Sequence, residues 1–227
     1  MTDQRPFFFP RPALKGQARL KHLQTCLTDH SDLLGDMRTT KRVMQRITMP
    51  ADGTWAYGSN PKAATTTTYN ALFELTFGHR LSAALDEGVA NWVDQPAQNL
   101  GQGQLFYQLA EFENSLAAMD LAFRFSVVRN PYDRAVSAFH FVCFSQDKAM
   151  RHFYTDRLRM NVLGFDRDTD PYTEQGFEKF MNYVEFEAHD TRTSGRLPDP
   201  HFRPQAMNIC LEFLNPHLVF RVDDLAE

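Results

Sequence analysis

Two short stretches carry residue types suited to holding anions. The first runs Asn60-Pro61-Lys62-Ala63-Ala64-Thr65-Thr66-Thr67. Pro61 favours a turn, and the small side chains of Ala63 and Ala64 let backbone N–H groups approach a ligand closely. Lys62 adds a full positive charge, and Thr65, Thr66 and Thr67 add hydroxyl donors. If a helix begins near Thr65, its N-terminal dipole adds to the attraction. Such a loop could cradle a phosphate. Taken alone, it is equally a threonine-capped helix following a proline turn. It is not a nucleoside-triphosphate P-loop, because G-x-x-x-x-G-K-[ST] is absent and the lysine precedes the small residues.

The second stretch is FSVVRNPYDRAVSAF at 125–139. Arg129 closes an apolar run and stands just before a helix start. Ser137 lies eight residues on, about two turns into that helix. A charge at a strand end and a hydroxyl on the helix after it could clamp a phosphate. The alternative is a capping arginine with a small packing serine. Two anion-holding turns in one chain imply a ligand with two separated phosphates.

The elements that must position these groups are legible around them. TWAYGS (54–59) is short and aromatic, bounded by Asp52-Gly53 and Asn60-Pro61, which predicts a strand. Ala71, Leu72, Leu75 and Thr76 follow one helical face, so a helix is predicted over about 65–77. AFRFSVV (122–128) is a second predicted strand. Asn130 suits an N-cap, Pro131 the first helical position and Asp133 the first turn. Further helices are predicted over 108–119, 147–161, 174–189 and 204–214, and a closing strand over 217–222. Residues 1–50 read as helical stretches after a proline-punctuated start, and 88–105 as a long irregular connection. Strand, turn and helix in that order, twice over, argue for an α/β fold with ligands at the C-terminal ends of parallel strands. The expected domains are an N-terminal helical, basic arm at 1–50 and a nucleotide-binding domain at 51–227.

Composition narrows the classes. The 227 residues carry a net charge of −4, which excludes a generally basic nucleic-acid binder. Charge is uneven, because residues 1–46 hold nine Lys/Arg against four Asp. The three cysteines, Cys26, Cys143 and Cys210, are far apart and form no metal-ligand spacing. No apolar run is long enough to span a membrane. The sequence reads as a cytoplasmic protein with no metal requirement.

PKAATTT at 61–67 resembles the 5′-phosphosulfate loop of sulfotransferases, and FSVVRNPYDRAVSAF is similar to their 3′-phosphate motif, with Arg129 and Ser137 on the matching positions. DPHFRPQ (199–205) resembles the late His-x-x-Pro-Gln segment of the carbohydrate-type sulfotransferases and their bacterial relatives. RVDDL (221–225) resembles the strand end that follows. The resemblance covers roughly 55–225 in order. It implies a P-loop-like three-layer sandwich, with a central parallel sheet flanked by helices. It also implies 3′-phosphoadenosine 5′-phosphosulfate (PAPS) as co-substrate and adenosine 3′,5′-bisphosphate (PAP) as product. Lys62 would stabilise leaving-group charge. Pro61, Ala63, Ala64, Thr65, Thr66 and Thr67 would complete the 5′-phosphate loop, and Arg129 and Ser137 would hold the 3′-phosphate. The acceptor would be a hydroxyl on a carbohydrate, lipid or small metabolite.

Relatives place a His or Glu between the two motifs, or near them, as general base. His79 is the candidate here, with Glu74, Asp94 and Glu111 behind it; His140 is read as packing. His201 is assigned to the nucleotide or acceptor pocket. Ala64 stands where a glycine is common in this loop. The chain stops at Glu227, where relatives usually continue with helices, so either those helices are dispensable or this is a shortened member. The competing readings are a P-loop nucleotide kinase or NTPase and a non-catalytic nucleotide-binding protein of the same fold.

Overall fold

The computed structural model describes residues 13–80, 106–144, 150–194 and 198–226. They form two compact units, one made of the residues up to Val128 with Gln205 onward, the other of Arg129–Pro204.

The first unit is built on five strands, β1 (Ile47–Pro50), β2 (Trp55–Gly58), β3 (Phe106–Gln108), β4 (Phe123–Val128) and β5 (Leu218–Arg221), in the order β3-β1-β2-β4-β5. β2, β4 and β5 run parallel, with Trp55 opposite Phe123 and Phe125 opposite Leu218. β1 is antiparallel to both β2 and β3. The sheet is therefore mixed: the expected parallel sheet is present as β2, β4 and β5, and β1 and β3 add an antiparallel side to it. The tight turn at Asp52-Gly53 returns β1 into β2 as a hairpin, and a hairpin can only be antiparallel. Gly53 takes φ 68 there, and Asp52 Oδ1 accepts from the backbone N of Thr54 at 3.1 Å.

Side chains alternate across this sheet because the strand period is two. Trp55, Tyr57, Phe106, Phe125 and Val127 pack with Tyr69, Leu72 and Phe73 of α4 (Thr65–Phe77) in one core. Ile47, Met49, Ala56 and Tyr107 face the other way. They pack with Leu23 and Cys26 of α1 (Gly16–Asp29), Leu34 of α2 (Ser31–Leu34) and Val43 and Met44 of α3 (Met37–Arg46). The unit is thus a sheet with helices on both faces. The basic N-terminal segment supplies one of those faces, and it also supplies β1. Gly58 is needed at its place, since a Cβ there would lie 2.5 Å from Leu214 Cδ2.

The predicted helix at 108–119 resolves into a 3₁₀ turn at Leu109–Glu111 and α5 (Ser115–Leu121). The one predicted at 204–214 is two short helices divided at Cys210, whose φ is 43. The expected connection at 88–105 lies outside the described residues.

The second unit holds α6 (Pro131–Phe144), α7 (Met150–Val162) and α8 (Glu174–Ser194). Its core joins Phe139 and Val142 of α6, Met160 of α7, Phe180 and Tyr183 of α8, and Phe165 and Phe202 from the loops.

Candidate functional site

The 60–67 segment runs from β2 into the first turn of α4. Lys62 and Ala64 both have positive φ, 67 and 52, and Ala63 between them is fully buried. A left-handed residue beside a right-handed one turns successive N–H groups the same way, and such nests hold anions. The cap position of α4 is Ala64, with no side-chain hydrogen bond to the helix end. The first amides of any α-helix lack intrahelical acceptors. Thr65 and Thr66 are half-buried and Thr67 is exposed. Pro61 and Lys62 are half-buried as well.

Asn60 fixes this loop from beneath, a role the sequence did not announce. It is fully buried. Its Nδ2 donates to Val127 O at 3.2 Å and to Gln205 Oε1 at 2.8 Å. Its Oδ1 accepts from Asn208 Nδ2 at 3.3 Å. Its own carbonyl accepts from Ala63 N at 3.1 Å and from Thr65 Oγ1 at 2.8 Å. The side chain ties the loop to the end of β4 and to α9 (Gln205–Ile209), while the main chain closes the turn.

In the second unit, Asn130 caps α6, accepting from Tyr132 N at 2.9 Å through Oδ1. Arg129 stands just ahead of it, half-buried, and Ser137 is half-buried two turns along the helix. Helix spacing puts Arg134, Ser137 and Phe141 on one face, at steps of three and four residues. Arg134 is buried and donates to Arg203 O at 2.9 Å and Pro200 O at 2.8 Å. Phe141 packs on the ring of His201. The face that carries Ser137 is therefore the one that receives the 198–203 segment.

A family model described as "Sulfotransferase family" matches residues 46–227, which include both turns. The chain belongs to the sulfotransferase family. It has no match among curated proteins or among solved structures. As a family member it is a transferase. The matched range takes in β1 and leaves out α1, α2 and most of α3.

The structure does not bring His79 to the 60–67 loop. His79 follows Gly78, which ends α4 in the left-handed conformation. A helix of 13 residues is about 20 Å long, so His79 and Lys62 stand at opposite ends of it. The His79 ring is exposed, its Nδ1 lies 3.0 Å from Phe77 O, and it stacks edge-on against Phe73. Glu74 is exposed and pairs with Arg80 at 3.3 Å. Glu111 lies 3.8 Å from Arg19. His140 is exposed on α6. Asp94 lies outside the described residues. His201, by contrast, is half-buried and held by Asp199.

Among the described residues no group of three or more His, Cys, Asp or Glu could hold a metal ion. Among them, too, no helix is long and apolar enough to cross a membrane.

Proposed function

We propose that this sulfotransferase moves a sulfuryl group from PAPS to an acceptor hydroxyl on a carbohydrate, lipid or small metabolite. The observation that carries the reading is the 60–67 loop, with Lys62 and Ala64 both at positive φ ahead of α4. Its donors are backbone amides, a helix N-terminus, threonine hydroxyls and one lysine, and that set suits a phosphate ester. Lys62 supplies positive charge where the leaving phosphate gains negative charge. The amides of Ala64 and Thr65 and the hydroxyls of Thr66 and Thr67 hold the 5′-phosphate, Pro61 sets the turn, and the Ala63 amide and Thr65 hydroxyl close it on the Asn60 carbonyl.

Arg129 and Ser137 take the 3′-phosphate, an assignment that rests on their motif. A donor lacking that phosphate would leave both groups unmatched, which gives the site its selectivity. Bound PAPS supplies an activated sulfuryl group, so the chain's work is positioning and charge stabilisation, as in phosphoryl transfer.

Calorimetric titration with PAP beside ADP and 5′-AMP tests the donor. Micromolar binding of PAP with much weaker binding of the other two is the expected result. Equal or tighter binding of ADP would replace this reading with a nucleotide kinase or NTPase. Transfer of ³⁵S from labelled PAPS to a panel of sugars, phenols and lipid alcohols then separates an enzyme from a non-catalytic nucleotide binder.

A further inference from the structure

We propose that Tyr57 is a positioning residue of the 60–67 loop, and that a phosphate ester held there brings the buried Tyr57 hydroxyl into a hydrogen bond with Thr65 Oγ1. The proposal rests on the sulfuryl-transfer reading above and adds a residue to that site. Tyr57, Thr65 and the loop all belong to the first unit.

The hydroxyl is the odd group in its surroundings. Tyr57 lies on β2 and is fully buried. Its ring stacks on Phe125 at a centroid distance of 5.3 Å and meets Tyr69 edge-on at 5.4 Å. A phenylalanine would fill the same place among the aromatic rings of this core. What tyrosine adds is one polar atom, and among the described residues that atom has no hydrogen-bond partner. Tyr69 is buried beside it, with its hydroxyl 2.8 Å from Thr48 Oγ1. The fold thus satisfies one phenol of the pair and leaves the other unmatched, at a desolvation cost that packing does not return.

The groups around the hydroxyl point to its use. Burial, and after it the neighbouring Tyr69, pushes the Tyr57 phenol well above its ordinary range, against the opposing effect of Thr68, Thr65 and the Asn60 backbone. The hydroxyl therefore keeps its proton and stays a donor. Thr65 and Thr68 both lie in the first turn of α4. Thr68 is buried and donates to Ala64 O at 3.0 Å, and Thr65 is half-buried and donates to Asn60 O at 2.8 Å. A hydroxyl that donates can still accept. Thr65 is also the residue whose amide is assigned to the 5′-phosphate, so it joins the ligand to the buried layer. Proximity is present and alignment is missing, and a hydrogen bond needs both.

An anion supplies the alignment. Phosphate oxygens on the amides of Ala64 and Thr65 fix the first turn of α4, and Thr65 Oγ1 is carried with its own N–H. Tyr57 O–H then donates to Thr65 Oγ1, which still donates to Asn60 O, and each bond polarises the next. Because the added bond forms only with the anion in place, it contributes to affinity as a difference between two states of the loop.

Two measurements on the full chain test this. In urea denaturation without nucleotide, Tyr57→Phe should raise the midpoint, since it removes an unmatched polar atom and keeps the ring. In calorimetric titration the same variant should bind PAP about 3–10-fold more weakly, the scale of one neutral hydrogen bond. A group that only packs would not give these opposite signs. Thr65→Val should weaken PAP binding too, and the double variant should bind no more weakly than Thr65→Val alone. A lowered midpoint in Tyr57→Phe would mean that the hydroxyl is bonded without nucleotide, and would overturn the proposal. Wild-type PAP affinity in Tyr57→Phe, or losses that add in full in the double variant, would overturn it while leaving the sulfotransferase reading intact. A wild-type chain that binds no PAP would sink that reading and this proposal with it.

Discussion

The turn after β2 and the turn before α6 resemble each other in sequence grammar and differ in how they are built. Both follow a strand and both contain Asn-Pro. In the first, the asparagine is buried and its side chain points away from the helix, to Val127, Gln205 and Asn208. The α4 cap is left to Ala64, in the left-handed conformation and without a side-chain bond. In the second, the asparagine is exposed and caps its own helix. The first turn is a backbone cradle braced from below. The second is a capped helix start whose proposed chemistry sits on side chains, Arg129 and Ser137. A cradle of amides depends on main-chain shape, and a clamp of side chains depends on residue identity.

Substitutions can break or sharpen this contrast. The largest effect is expected for Lys62→Ala, the one full charge in the cradle. Transfer of ³⁵S should fall by about 10²–10³-fold, and near wild-type rates would remove Lys62 from the site. Arg129→Ala should weaken PAP binding by about 1.5–3 kcal/mol, the scale of a charged hydrogen bond, in a calorimetric titration. Unchanged affinity would take the 3′-phosphate away from this turn. Asn60→Ala should cost about 1–3 kcal/mol of stability in urea denaturation, because it leaves buried partners unmatched, and should weaken PAP binding as well.

The smallest changes carry opposite signs. Asn130→Ala should lower stability by about 1 kcal/mol, the usual value of an N-cap. Ala64→Gly should raise it by up to about 1 kcal/mol, since glycine adopts positive φ without the Cβ penalty, less its own entropy cost. A loss at Ala64→Gly would mean that the methyl group packs in a way that outweighs its strain.

Local signals made one half of this architecture readable. Asp52-Gly53, Asn60-Pro61 and Asn130-Pro131 bracket β2, α4 and the start of α6, and each boundary falls within about two residues of its predicted place. β1 and β3 were not readable. Ile47–Pro50 follows a helix without a break and ends in proline, and Phe106–Gln108 has only three residues. Such strands exist because they pair with distant partners, and periodicity does not report pairing. The turn at 60–67 was legible as a link between strand and helix, but its brace was not, since Gln205 and Asn208 lie far along the chain. His79 shows the reverse case. The predicted helix at 65–77 and Gly78 after it already implied the far end of α4, and helix length alone would have separated His79 from Lys62. The Asp-x-His spacing at 199–201 was also present in the sequence, as an Asx turn that could orient an imidazole.

The brace on Asn60 also sets an order of events during synthesis. Asn60 meets Gln205 and Asn208 across 145 and 148 residues of sequence, contacts of very high order for a chain of this length. The ribosome emits the loop early and its two supports late. A nascent chain arrested before residue 205 can form the β1–β2 hairpin and α4, but it has nothing to hold the asparagine. The 60–67 turn is therefore among the last parts of the first unit to become rigid, since its brace is complete only once the chain has been made past residue 208.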